Sequence, residues 1–155
     1  MMRALRKLEL TLAILKPDVV AQPHILKEIR SVILQQEFLF VRSKKLILSP
    51  TRAKEFYKEH DGKFFLNRLV SFMSRTIHEA PETIRGRFGL TDTRNCTHGS
   101  DSTETAAREI KFFFPEFSIG KWHDTEETHF FSRQVSLDED LCQHVSLQDV
   151  SDAIS

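Results

Sequence analysis

The sequence predicts one small α+β domain, a mixed sheet with helices packed on it. Three observations carry that expectation. The chain is 155 residues long, 40% apolar and 28% charged, which suits one folded unit with a core. Short apolar runs ended by proline or glycine alternate with amphipathic helical stretches. Only Cys96 and Cys142 are present, too few for a disulfide scaffold and consistent with a reducing compartment.

The elements follow in order. Residues 8 to 15, LELTLAIL, alternate loosely and stop at Lys16-Pro17-Asp18, which reads as a strand ending in a turn. From Pro23, the apolar residues Ile25, Leu26, Ile29, Val32 and Ile33 recur at helical spacing, with Lys27, Glu28, Arg30 and Gln35 opposite. Residues 38 to 48, FLFVRSKKLIL, are a strand candidate. Ser49-Pro50 supplies an N-cap and first-turn proline for a helix to about His60. Gly62 punctuates, and residues 63 to 74 form the next helix, with Phe65, Leu69, Phe72 and Met73 near one stripe. Pro81 opens a short helical turn. Asp101, with Glu104 three residues on, makes a capping box for a helix to about Phe113, ended by Pro115.

Charge is unevenly spread. Residues 1 to 75 carry 15 Lys+Arg against 7 Asp+Glu, and the remainder reverses the balance. A basic half suits an anionic ligand. The equal totals of 22 and 22 argue against a nucleic-acid binder, and no apolar run is long enough for a membrane span. The N-terminus lacks a secretory pattern. After Trp122 the chain holds 8 acids and one base, Arg133, and reads as a poorly ordered acidic tail with one weak helix.

The stretch from Arg94 to Ser102, RNCTHGSDS, is the most informative for chemistry. A neutral imidazole at His98 is a nucleophile if one nitrogen is free and the other held as a fixed tautomer. Glu109, on the helix that follows, is placed to hold it, as the acid of a triad does. Arg85, immediately before Gly86, suits a phosphate approaching the backbone, and Lys16 stands at a strand end. Phe65 and Leu69, at i and i+4, suit an apolar shelf for a flat base; plain core is the competing reading. There is no P-loop, no GxGxxG and no CxxC. His78, His123, His129, Cys142 and His144 lack zinc-ligand spacing, so no metal site is expected from them.

With AILKPDVV, FYKEHDGKFF, RLVSFM, APETIRGRFGLTDTRNCTHGSDS and AAREIKFFFPEF in this order, the chain resembles the nucleoside diphosphate kinases, and most of all a divergent type of them. The resemblance covers most of residues 8 to 122. It implies a ferredoxin-like βαββαβ core and transfer of the γ-phosphate of ATP to nucleoside diphosphates through a phosphohistidine. By resemblance, His98 is the nucleophile through Nδ1, Glu109 holds its other nitrogen, and Tyr57 and Ser100 flank the ring. Lys16 and Asn95 meet ribose and phosphates, Arg85 binds phosphate, and Phe65 and Leu69 stack on the base. Mg²⁺ bridges the phosphates, mainly through substrate oxygens. The location expected is mitochondrial or cytoplasmic, the mitochondrial option being what the resemblance implies, and subunit number stays open.

One departure accompanies the match. In the family, some tens of residues follow the segment like RLVSFM, holding an interior strand, a helix, a phosphate-binding threonine and a second arginine. Here Met73-Ser74-Arg75 runs directly into Thr76-Ile77-His78. The core is therefore expected to lack one interior strand and a helix, leaving unpaired strand edges. The alternative functional reading follows from this loss: a catalytically silent variant that binds nucleotide weakly or acts through protein contacts.

Overall fold

The computed structural model describes residues 7–74 and 97–148. Arg85, Asn95, Cys96 and the expected turn at Pro81 lie outside the described residues. Along the chain, β1 (Ala13–Leu15) leads into α1 (Pro17–Val20) and α2 (Pro23–Gln35). Next come α3 (Pro50–Phe56), a 3-10 turn (Lys58–His60) and α4 (Leu66–Met73). Then β2 (Thr97–Gly99) precedes α5 (Thr103–Phe113), α6 (Ile119–Thr125) and α7 (Glu127–Phe131). A hairpin of β3 (Val135–Asp138) and β4 (Gln143–Ser146) follows.

The sheet is smaller than the sequence suggests. β1 and β2 pair antiparallel with Ile14 opposite His98, and the Ser100 N–H extends the ladder to the Leu12 carbonyl at 3.1 Å. β3 and β4 form a separate antiparallel pair with Leu137 opposite His144. Among the described residues β1 has this single ladder neighbour. The expected strand at 38 to 48 has no ladder neighbour among them. Both fit the loss of an interior strand after Met73, since an extended segment without a neighbour has nowhere to place its ladder bonds.

Residues 38 to 48 are tied down by isolated bonds, most of them from side chains. Phe40 exchanges two bonds with His144: its N–H donates to Nδ1 at 2.9 Å, and its carbonyl accepts from the His144 N–H at 2.6 Å. Arg42 grips both carboxylate oxygens of Glu126 at 2.8 and 3.0 Å. Lys44 donates to the Phe113 carbonyl at 3.2 Å, and Arg52 to that of Phe112 at 3.0 Å. Both cations thus sit on the C-terminal carbonyls of α5, where the helix dipole favours positive charge. The Arg52 guanidinium also lies over the Phe112 ring, 4.6 Å from its centroid.

The main core joins Leu12, Leu48, Ala53, Phe56, Leu66, Leu69, Met73, Ala106, Ile110 and Phe113. A second cluster, Val19, Ile25 and Ile29, packs under Leu15, Leu26 and Ile33. α2 keeps the predicted stripe, yet Val32 on it is 41% exposed. Strands lie about 5 Å apart, so the two paired strands among the described residues are too narrow to cover a whole helix face. No helix among the described residues is long and apolar enough to cross a membrane.

Two local expectations need correction. The α5 cap is Ser102, not Asp101: its hydroxyl accepts from the Thr105 N–H at 3.1 Å, so the helix starts one residue later. The acidic stretch after Trp122 does not form one weak helix. It holds the end of α6, then α7 and the β3–β4 hairpin. Trp122 is buried against Phe130, while the Glu127 carboxylate bonds the Leu8 N–H. Acidic composition concealed this because some of the acids are structural: Asp138 accepts from the Leu141 N–H at 2.9 Å to close the hairpin turn.

Burial lowers the pKa of His144, and the Arg133 charge lowers it further. The bond to Phe40 needs Nδ1 unprotonated. With the folded value below the ordinary one near 6.5, stability is full above that pH and falls as the pH drops through it. The melting midpoint is expected to fall between pH 7 and pH 5 by more in the parent than in His144→Asn, whose amide oxygen keeps the acceptor without titrating. Parallel curves would contradict this.

Candidate active site

Three short elements meet at His98. β2 carries it in register with Ile14, α5 brings Glu109 beneath it, and the end of α3 supplies aromatic rings. His98 Nε2 lies 3.0 Å from each oxygen of Glu109. Glu109 is 1% exposed, so its charge sits in the interior and needs partners. Ser100 provides another: its hydroxyl donates to Glu109 Oε2 at 2.7 Å, while its oxygen accepts from the Leu12 N–H at 3.3 Å. One hydroxyl therefore joins β1, β2 and α5.

A carboxylate only accepts, so Nε2 carries the proton in this contact and Nδ1 keeps its lone pair. None of the described residues bonds Nδ1, and the imidazole side chain is 25% exposed. The arrangement is an oriented imidazole with its acceptor nitrogen available.

Phe56 stands edge-on to His98, 5.6 Å between centroids, and also packs on Tyr57, Phe112 and Phe113. Sequence reading singled out Tyr57 and missed Phe56; adjacency in the chain was its only signal. The Tyr57 hydroxyl is buried without a hydrogen-bond partner among the described residues. Burial, then the Glu109 charge, raises its pKa, so it remains a neutral donor. A buried donor left unmet costs about 1–3 kcal/mol, which a ligand oxygen would recover.

The other expected residues divide. Lys16 is buried just beyond β1, at the start of α1. Leu69 lies in the core and Phe65 is half-buried against it. Next to Phe65, Phe64 is 84% exposed, with the Arg68 guanidinium 5.7 Å from its ring centroid. Arg85 and Asn95 lie outside the described residues.

The nucleoside diphosphate kinase profile matches residues 9–78 and 74–119, two pieces that meet where the sequence departs from that family. Nucleoside diphosphate kinase 6 of Danio rerio is 45% identical over 83% of this chain and 89% of its own. That of Xenopus tropicalis is 42% identical over 92% of this chain and 95% of its own. The latter alignment runs over 170 positions against 155 residues here, so it bridges positions this chain lacks. Two solved structures share the fold. One is a nucleoside diphosphate kinase of Aquifex aeolicus, 30% identical, with a TM-score of 0.58 over 67% of this chain and 93% of that one. The other, from Halobacterium salinarum in complex with CDP, is 27% identical, with a TM-score of 0.59 over 70% and 88%.

Ser100→Ala removes a hydrogen bond to a buried charge and leaves the Leu12 N–H without its side-chain acceptor. The expected loss is about 1.5–3 kcal/mol, read as a lower urea midpoint with unchanged slope. An unchanged midpoint would show that Glu109 does not need the hydroxyl.

Proposed function

As the chain belongs to the nucleoside diphosphate kinase family, we propose that it passes the γ-phosphate of ATP to nucleoside diphosphates by way of His98. The observation that carries this reading is the fixed imidazole: Nε2 held by buried Glu109, Nδ1 unbonded among the described residues. Nδ1 attacks the γ-phosphorus, the bond to the β–γ bridging oxygen breaks, and ADP leaves with that electron pair. A terminal phosphate oxygen of the second nucleotide then attacks the phosphoimidazole, and His98 recovers its lone pair. Dividing one transfer into two lets a single site serve both nucleotides in turn.

Positive charge develops on the ring as the N–P bond forms. Glu109 stabilises it from a site that excludes water, where a preformed charge needs little reorganisation. The unpartnered Tyr57 hydroxyl supports a phosphate oxygen arriving beside Glu109. Lys16, Asn95 and Arg85 would supply the remaining donors to phosphate and ribose. Phe65, with exposed Phe64 beside it, would offer the base an apolar shelf that reads no hydrogen-bond pattern. The relative solved with CDP supports a nucleotide as the ligand class. As the family resemblance implies, Mg²⁺ would be held mainly by phosphate oxygens of the nucleotide; among the described residues no group of three or more His, Cys, Asp or Glu is arranged to hold a metal ion. When bound there, the ion offsets phosphate charge.

ATP labelled at the γ-phosphate, with Mg²⁺, is expected to leave an acid-labile label on the parent and none on His98→Ala. An added nucleoside diphosphate should discharge it. Label that survives His98→Ala overturns the reading. An unlabelled parent does so too, and then favours the silent variant that the missing block suggests.

A further inference from the structure

We propose that Arg108, pinned by Glu59, is a positioning residue that sets how strongly Glu109 grips the His98 imidazole. The inference rests on His98 as the phosphate acceptor and adds two residues to that site.

Arg108 Nη2 lies 3.0 Å from Glu59 Oε2 and 3.7 Å from Glu109 Oε1. Neighbouring residues on a helix do not normally face each other. For the tips of Arg108 and Glu109 to approach, the guanidinium must fold back along α5, and Glu59 on the 3-10 turn holds it there. Arg108 and Glu59 are 43% and 46% exposed, whereas Glu109 is 1% exposed. A surface ion pair thus reaches a carboxylate that solvent does not.

Glu109 Oε1 consequently faces two partners, the Nε2–H of His98 at 3.0 Å and the Arg108 guanidinium at 3.7 Å. The cation draws charge away from the imidazole and weakens the pull of Glu109 on the Nε2 proton. Its effect is useful because a stronger pull favours the doubly protonated ring, which has no lone pair on Nδ1. Glu59 acts in the opposite sense by holding part of the Arg108 charge to itself. Among the described residues, the other polar groups near this cluster are the Ser100 hydroxyl, the Tyr57 hydroxyl, and His60, stacked on the Tyr57 ring at 6.1 Å. The Phe56 ring stands edge-on to His98 and packs on Tyr57 as well.

The two surface residues should therefore move His98 in opposite directions. In the ligand-free protein, the pH midpoint of the His98 imidazole C–H resonances is expected to rise in Arg108→Ala and fall in Glu59→Gln. Each shift should be roughly 0.2–0.7 pH unit, the scale of an exposed ion pair. Arg108→Lys keeps the charge and should stay near the parent. Both shifts should shrink in 1 M salt. The acid side of the labelling rate against pH should move with the midpoint. Midpoints that stay put, or that shift the same way in both variants, overturn the inference and leave the phosphotransfer reading intact. Midpoints that move as stated in a protein that takes no label uphold the coupling and sink the phosphotransfer reading instead.

Discussion

A carboxylate with almost no solvent contact, that of Glu109, is the constraint on which the rest depends. An isolated charge in a protein interior costs several kcal/mol, so it persists only if neighbouring donors hold it. Here those donors come from separate pieces of chain: His98 on β2 and Ser100 just after it, with Arg108 reaching in from the surface of α5. Ser100 also meets Leu12, which fixes β1 to the same point. The group that orients the imidazole is therefore also the one that joins sheet to helix. Structure and chemistry are not separable at this residue.

Around that point the sheet is reduced, and the chain makes up for it with side chains. Among the described residues the extended run from 38 to 48 has no ladder but is held at three places: to the hairpin through His144, to the α6–α7 corner through Arg42, and to the end of α5 through Lys44. These contacts are local and partly exposed, and exposed ion pairs contribute only about 0–1 kcal/mol each. An interior strand would instead satisfy a continuous row of backbone groups on both sides. The Val32 face of α2 shows the consequence, apolar by sequence and half in solvent by structure.

What could be read from the sequence was what depends on near neighbours. The i, i+4 spacing from Ile25 to Ile33 gives α2 directly, and Ser49 before Pro50 marks the start of α3 because capping needs only three residues. Glu109 was legible as a partner of His98 because a capped helix of known pitch starts between them. The rest needed tertiary information. β2 is three residues long, too short for any alternation to register, although it carries His98. The strand-like pattern at 38 to 48 is real, but strand formation requires a partner that lies elsewhere in the chain. The β3–β4 turn uses Cys142 at φ 50° where a hairpin signal would have glycine or asparagine. Phe56, Arg108 and Glu59 carry no motif; they matter only because the fold places them beside His98 and Glu109.

The most direct measurement is the tautomer of the His98 ring, read from its two ¹⁵N chemical shifts at a pH where the imidazole is neutral. A protonated Nε2 with a bare Nδ1, lost on Glu109→Leu, is the result this account requires. A proton resident on Nδ1 in the parent would mean that Glu109 does not orient the ring, and the proposed phosphate acceptor would have no lone pair to offer.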